Sequence, residues 1–266
     1  MFLLFAISMT QPQQFTPLSQ IELNQELILT IKRNHLLALL HDPHGLNHYA
    51  DHLVQAQSVL LNGVDPKLNQ QLSQVIAEII QQLSRSKKYV GNRKFNALQK
   101  WLGIDVEYDA GQVKYVKDLD RLIHEANHLS QRLQIEIQKS QARLQQALGL
   151  REQMAAYVVA AEQFLLEYPQ FSNQQPLDHF AERLSKKVYT LQTLQSSNDI
   201  AMQQMQLTQN LSFNLLDRFK EAQQVLIPAW RYYLKQSQDT HSSSTLQQLD
   251  QSRENLIQNL KKSLQK

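Results

Sequence analysis

At 266 residues and a net charge of +3, the chain is long enough for one large domain or two small ones, and too weakly charged to argue for nucleic acid on charge alone. Six glycines and seven prolines are too few for an open β-architecture with its many turns, and they point to few, long helices. The absence of cysteine excludes disulfides, Cys-based zinc sites and thiol nucleophiles, and fits a reducing compartment.

The N-terminal MFLLFAISMTQPQQF carries an apolar run well short of the ~20 residues that span a bilayer, and no Lys or Arg precedes it. Residues 1–20 read as a flexible leader starting at Met1 or Met9, and the protein reads as cytoplasmic. IELNQELILTIKRNHLLALL (21–40) then repeats apolar residues at helical spacing and stops at HDPHG. A second helix is expected from near Leu46 to the punctuation NGVDP (62–66). A third, LNQQLSQVIAEIIQQL (68–83), has its stripe at Leu72, Val75, Ile76, Ile79 and Ile80. Residues 21–103 therefore read as an N-terminal bundle of short helices. Its last stretch, SRSKKYVGNRKFNALQKWLG (84–103), holds Arg85, Lys87, Lys88, Arg93, Lys94 and Lys100 with no acidic residue. Tyr89, Phe95 and Trp101 are interleaved, a composition that suits an anionic membrane surface or nucleic acid. A solvated hinge whose aromatics cap the bundle is the plainer reading.

From Val113 to about Tyr168 the chain contains no proline and one glycine, Gly149. Written as heptads, its a and d positions are Val116, Leu119, Ile123, Ala126, Ser130, Leu133, Ile137, Ser140, Leu144, Ala147, Arg151 and Met154. Two serines and an arginine weaken the seam and favour an intramolecular hairpin over a dimeric rod. YPQFSNQQP (168–176) supplies a turn, and the helix starting at HFAERLSKKVYTLQTLQ runs back to about Gln236. Residues 104–238 thus read as a long antiparallel hairpin, and 239–266 as a C-terminal amphipathic helix ending in Lys261, Lys262 and Lys266. The expected class is all-α, an elongated helical bundle with long antiparallel coiled-coil-like helices.

Pro228 interrupts this returning helix within QQVLIPAWRYYLKQ (223–236). It lacks an N–H and crowds the carbonyl of Gln224, a cost of about 3 kcal/mol inside a helix. A fresh helix start would make Ile227 the N-cap, which isoleucine cannot serve. The stripe Phe219, Ala222, Leu226, Ala229, Tyr233 keeps helical phase across the proline, so a kinked continuous helix is expected, re-aiming Trp230 and Tyr233.

Among chemistry-bearing residues, His48 and His52 are four apart and would share a helix face, as two metal-ligating histidines do, with Asp42 and Asp51 as oxygen donors. The intervening Glu of a hydrolytic zinc motif is missing, and surface or capping histidines are the plainer reading. His124 and His128 repeat the spacing on a polar face. No phosphate-binding glycine loop or nucleophile elbow is present, and the Asp118/Asp120 pair lies in a charged face, so neither an enzyme nor a cofactor is expected. Ala155, Ala156, Ala160 and Ala161 would let another helix approach closely.

The segments KVYTL (187–191), IAMQQMQL (200–207), LLDRF (215–219) and IPAWR (227–231), in that order, with MAAYVVAAEQ (154–163) upstream, resemble the TelA/KlaA-like toxic anion (tellurite) resistance family. The resemblance covers about residues 85–236 and departs at Ala229, where the family carries a bulky Leu. It implies a long-helical cytoplasmic protein linked to tolerance of tellurite and other toxic compounds, and supplies no catalytic residue. The expected function is a non-enzymatic scaffold in toxic-anion or stress tolerance that binds a protein partner through Asp217, Arg218, Pro228, Trp230 and Arg231. The alternatives are a peripheral membrane or nucleic-acid-associated protein using the 85–100 patch, and a histidine-based metal or oxyanion binder.

Overall fold

The computed structural model describes residues 15–85, 104–168, 179–239 and 243–265. Among these residues there are helices and no strand, so the all-α expectation holds. None of these helices is long and apolar enough to cross a membrane. A 3-10 turn (Leu18–Gln20) precedes α1 (Gln25–Ile31), which continues through a π turn (Lys32–Leu36) into α2 (Leu37–Leu39). Then follow α3 (Pro43–Asn47), α4 (Asp51–Leu60), α5 (Pro66–Arg85), α6 (Ile104–Glu167) and α7 (Phe180–Glu221). A second π turn (Ala222–Leu226) joins α7 to α8 (Ile227–Asp239), and α9 (Ser243–Leu264) closes the chain.

The chain divides into two compact units, one made of the residues up to Gly63 with Lys139–Leu207, the other of Val64–Gln138 with Thr208–Lys266. Residues 21–103, expected as one bundle, are therefore shared between them: Ile28, Ile31, Leu46 and Leu53 belong to the first core, Leu72, Ile76 and Leu83 to the second. The reason is that a short helix with one apolar stripe buries it against the longest complementary surface available, and α6 and α7 supply that surface in each unit.

Both units rest on the seam of α6. Of its twelve heptad positions, all are buried except Val116, which is half-buried. In the first unit the antiparallel register shows in two pairs: Gln192 donates to Glu162 (2.9 Å), and further along α6 towards its start Arg151 meets Asp199 (2.8 Å). Ala155, Ala156, Ala160 and Ala161 are all fully buried, the close approach their small side chains permit. In the second unit Lys220 of α7 donates to Gln134 of α6 (3.0 Å). There α5 buries Leu68, Leu72, Val75, Ile76, Ile79 and Leu83, and Asp65 caps its start by accepting from Lys67 N–H (2.9 Å). Helix α9 packs against α5 and α8 through Leu249, Leu256, Ile257 and Leu260.

The continuous helix expected through the proline is present, and it carries a π turn ahead of Pro228. The helix runs on from α7 into α8, and the five residues before Ile227 widen into a π turn in which Ile227 N–H donates to the carbonyl of Ala222. Gln224 and Pro228 both face solvent, where water can serve the carbonyl that the proline deprives of a partner. A π turn holds one residue more than an α turn, so the buried stripe slips by one. After Phe219 and Ala222 the core positions are Ile227, Trp230 and Leu234, while Leu226, Ala229 and Tyr233 are only half-buried. The expected constant phase is thereby corrected, and Trp230, 2% exposed, is a core residue.

Two stability measurements check this reading. Trp230→Ala should lower the unfolding free energy in urea by about 3–5 kcal/mol, the cost of emptying a large aromatic site in a packed core. Gly149→Ala should raise it by about 0.5–1 kcal/mol, because the glycine is exposed in mid-helix and an added Cβ meets nothing within 4 Å.

Candidate functional site

The junction between α3 and α4 lies in the first unit, and the chain is unusual there. Asp42 caps α3, its Oδ1 accepting from the backbone N–H groups of His44 (3.0 Å) and Gly45 (2.9 Å), with Pro43 in the first turn. The helix ends at His48, and Ala50 takes the left-handed conformation at φ 61°. For alanine that costs on the order of 1–2 kcal/mol. The break buries both Tyr49 and Ala50, and lets the Tyr49 hydroxyl donate to the carbonyl of Tyr157 on α6 (2.7 Å). It also starts α4 on Asp51, a carboxylate at the positive end of a helix.

Asp51 is the anchor of a polar set. Its Oδ1 accepts from Lys187 Nζ (2.6 Å), and its Oδ2 lies 3.1 Å from His48 Nδ1. Lys187, from α7, also donates to the carbonyl of Asn47 (2.7 Å), serving the open C-terminal end of α3, while Arg183 donates to Asn47 Oδ1 (3.0 Å). Partial burial works against the Asp51 anion. The hydrogen bonds and charges of Lys187 and His48 outweigh it and hold the carboxyl below the usual carboxylate range.

Beside this set stands an aromatic group centred on Tyr157. The rings of His35, Tyr49 and His52 lie 5.5, 5.4 and 5.5 Å from it, centroid to centroid, and the Tyr157 hydroxyl is 3.4 Å from His35 Nε2. His35 owes its place to the first π turn. Continuing the α1 stripe of Ile28 and Ile31 at α spacing would send residue 35 inward. The extra residue in the turn puts Leu36 into the core instead and leaves His35 exposed. Lys32, at the start of the turn, pairs with Glu167 near the end of α6 (2.5 Å). Burial pushes the Tyr49 and Tyr157 hydroxyls up, so both remain neutral hydrogen-bonding groups. The patch thus exposes two imidazoles, His35 and His52, around a tyrosine whose backbone is tied to Tyr49.

Deeper in the same unit, Arg151 occupies the seam of α6. Its Nε and Nη2 donate to Asp199 Oδ1 (2.8 Å) and Oδ2 (2.9 Å), and Nη2 also donates to the carbonyl of Thr16. The guanidinium carbon lies 5.1 Å from the centre of the Phe15 ring, and Gln195 donates to Asp199 Oδ1 (2.7 Å). Next to it the fully buried Gln57 donates to the carbonyl of Ala147 (3.3 Å) and accepts from Asn198 (2.8 Å).

The residues expected to meet a partner fare unevenly. Asp217, Arg218, Pro228 and Arg231 are exposed. Trp230 is inside the second unit's core, because the π turn shifts the stripe onto it, and so is corrected from contact anchor to packing residue. Arg231 bonds Asp120 on α6 (2.6 Å), and Arg218 donates to the carbonyl of Lys262 near the end of α9. His48 and His52 do not share a helix face, since the left-handed Ala50 stands between them. His48 turns to Asp51 and His52 to Tyr157. Among the described residues no three of His, Asp and Glu are grouped to hold a metal ion. Of the basic patch, Arg85 ends α5, while Lys87, Lys88, Arg93, Lys94 and Lys100 lie outside the described residues. His124 and His128 are exposed, as expected.

Sequence reasoning missed Tyr157, Asp51 with Lys187, and Arg151 with Asp199. A signal existed for each: Tyr157 and Lys187 sit in the resemblance segments 154–163 and 187–191, and a lone arginine in an apolar seam requires a buried counter-ion. The Asp51 pair also makes stability depend on pH. A carboxyl whose folded pKa is depressed stabilises the fold above the unfolded value of about 3.9, and that contribution is lost as pH falls through the lower folded value. Asp51→Asn should therefore flatten the acid limb of a urea-midpoint series between neutral and strongly acid pH. A limb as steep as the wild type's would assign the acid sensitivity to other groups.

Over 216 residues the chain is 29% identical to protein KlaA of Escherichia coli, a match covering 76% of this chain and 81% of that protein. No family model and no solved structure matches the chain. The matched length is too great to arise from one shared helix pattern. The chain is thus similar over most of its length to KlaA, in agreement with its resemblance to the TelA/KlaA-like toxic anion resistance family.

Proposed function

We propose that the protein is a non-enzymatic helical scaffold that acts in toxic-anion or stress tolerance by binding a protein partner at the patch formed by His35, His52 and Tyr157. The observation that carries this reading is the convergence of two family-like segments on the α3–α4 junction, beside this patch. MAAYVVAAEQ brings Tyr157 and KVYTL brings Lys187, 30 positions later on the returning helix, and both are held by the α3–α4 junction. The lysine and tyrosine groups that could act as nucleophile or base are already engaged. Lys187 is bound to Asp51 and Asn47, and the tyrosine hydroxyls are kept neutral by burial. What remains outward is two imidazoles on an aromatic base, a set that makes directional contacts with a partner surface. The exposed Asp217, Arg218 and Arg231 of the second unit offer a further polar surface, with Arg218 and Arg231 held in place by Lys262 and Asp120.

The test is the double variant His35→Ala/His52→Ala in cells challenged with tellurite, with protein level and helical content measured alongside. Both imidazoles are exposed, so folding should be unchanged while tolerance and recovery of a cross-linked partner both fall about tenfold or more, the loss of one contact anchor. Full tolerance at an equal protein level would remove this patch from the function.

A further inference from the structure

Helix α7 bears a row of exposed positions on its outer side: Tyr189, Thr193, Ser196, Ile200, Gln204 and Leu207. Steps of three and four residues keep them on one helix face. Three of the six are large and apolar, with Tyr189 72%, Ile200 59% and Leu207 56% exposed. The exposed neighbours Thr190, Leu194 and Ser197 are uncharged as well. From Val188 to Leu207 the one charged residue is Asp199, and its carboxylate is held by Arg151 and Gln195. A helix face that meets only water ordinarily carries Lys, Arg, Asp or Glu. Depletion of charge around exposed large apolar side chains is instead the composition of an interface core.

Apart from Tyr189, the row is evenly spaced about Ile200. Ser196 and Gln204 stand four residues to either side, Thr193 and Leu207 seven. Two such helices crossing antiparallel on a two-fold axis at Ile200 would set Ile200 against its own copy, Ser196 against Gln204 and Thr193 against Leu207. A two-fold interface requires a surface complementary to itself, and a face without free charge meets that requirement against its own copy. A charged partner helix would have to bury its charges against a face that offers no counter-ion. A second copy brings none.

We propose that the α7 face centred on Ile200 is a self-association surface, and that its partner is a second copy of this chain in antiparallel register. Sedimentation of the full chain over a concentration series should show a reversible dimer. Ile200→Arg, which sets two like charges against each other on the axis, should raise the dissociation constant about a hundredfold or more. Its circular dichroism and thermal midpoint should stay unchanged, since the side chain is exposed. Because the chain has no cysteine, Ile200→Cys gives a second readout that alters packing little. A short bismaleimide should link it into a covalent dimer, and should fail to link Glu152→Cys, an exposed position on α6. If Ile200→Arg proves misfolded, the cross-link decides. A wild type that stays monomeric throughout, or linking that is equal at both cysteines, overturns the proposal.

Discussion

Within the first unit, most of the arrangement depends on the ion pair between Arg151 and Asp199. A guanidinium in the seam of a helix pair is costly to desolvate, and only a well-formed counter-ion makes its position tolerable. The pair is bidentate, with both nitrogens directed to separate carboxylate oxygens, so it fixes rotation as well as distance between α6 and α7. That register sets Glu162 opposite Gln192. It leaves Thr16 and Phe15 as cover for the remaining face of the guanidinium. Gln57 and Asn198 extend the network to α4, whose first residue is Asp51. An apolar pair at the same place would pack as tightly but would let the helices slide by a turn.

The second constraint is the added residue in each π turn. Both turns come in helices whose apolar stripe would otherwise direct the wrong side chain inward. In the first, Leu36 takes the buried position and His35 is released to the surface beside Tyr157. In the second, Ile227 and Trp230 move in as Leu226 and Ala229 move to the boundary, ahead of a proline that cannot donate to the ladder. One local distortion thus decides two things together, which residue packs and which is displayed.

These two features also mark what the sequence could and could not disclose. The seam was legible almost position by position, because burial against one long neighbour imposes a strict period, and even Ser130, Ser140 and Arg151 obey it. The class, the long helices and the break at the α3 cap followed from composition and punctuation. The π turns did not, since a pattern at α spacing has no mark for an inserted residue when apolar side chains lie on both sides of it. Stepping by four from Ile31 to His35, or from Ala222 to Leu226, gives a consistent but wrong face. Ala50 was equally hidden. Alanine favours helix, and the left-handed turn is stabilised by Tyr49 reaching a residue more than a hundred positions away. The site was hidden for the same reason, as Asp51 and Lys187 are each unremarkable until the fold brings them within 2.6 Å.

The family-like segments on α7 carry two kinds of information on opposite sides of one helix. Val188, Leu191, Met202 and Met205 point into the first unit, and packing against α6 and the short helices accounts for them. Tyr189, Ile200 and Leu207 lie within the same segments and contribute little to that core. Packing does not require them, and a surface needing only water would be better served by lysine or glutamate. Asp199 sharpens the point: the one carboxylate available to solvate this stretch is drawn inward by Arg151. The ion pair that fixes the interior therefore strips the outer face of charge, so the constraint that holds the helices in register also prepares the surface of α7 for contact.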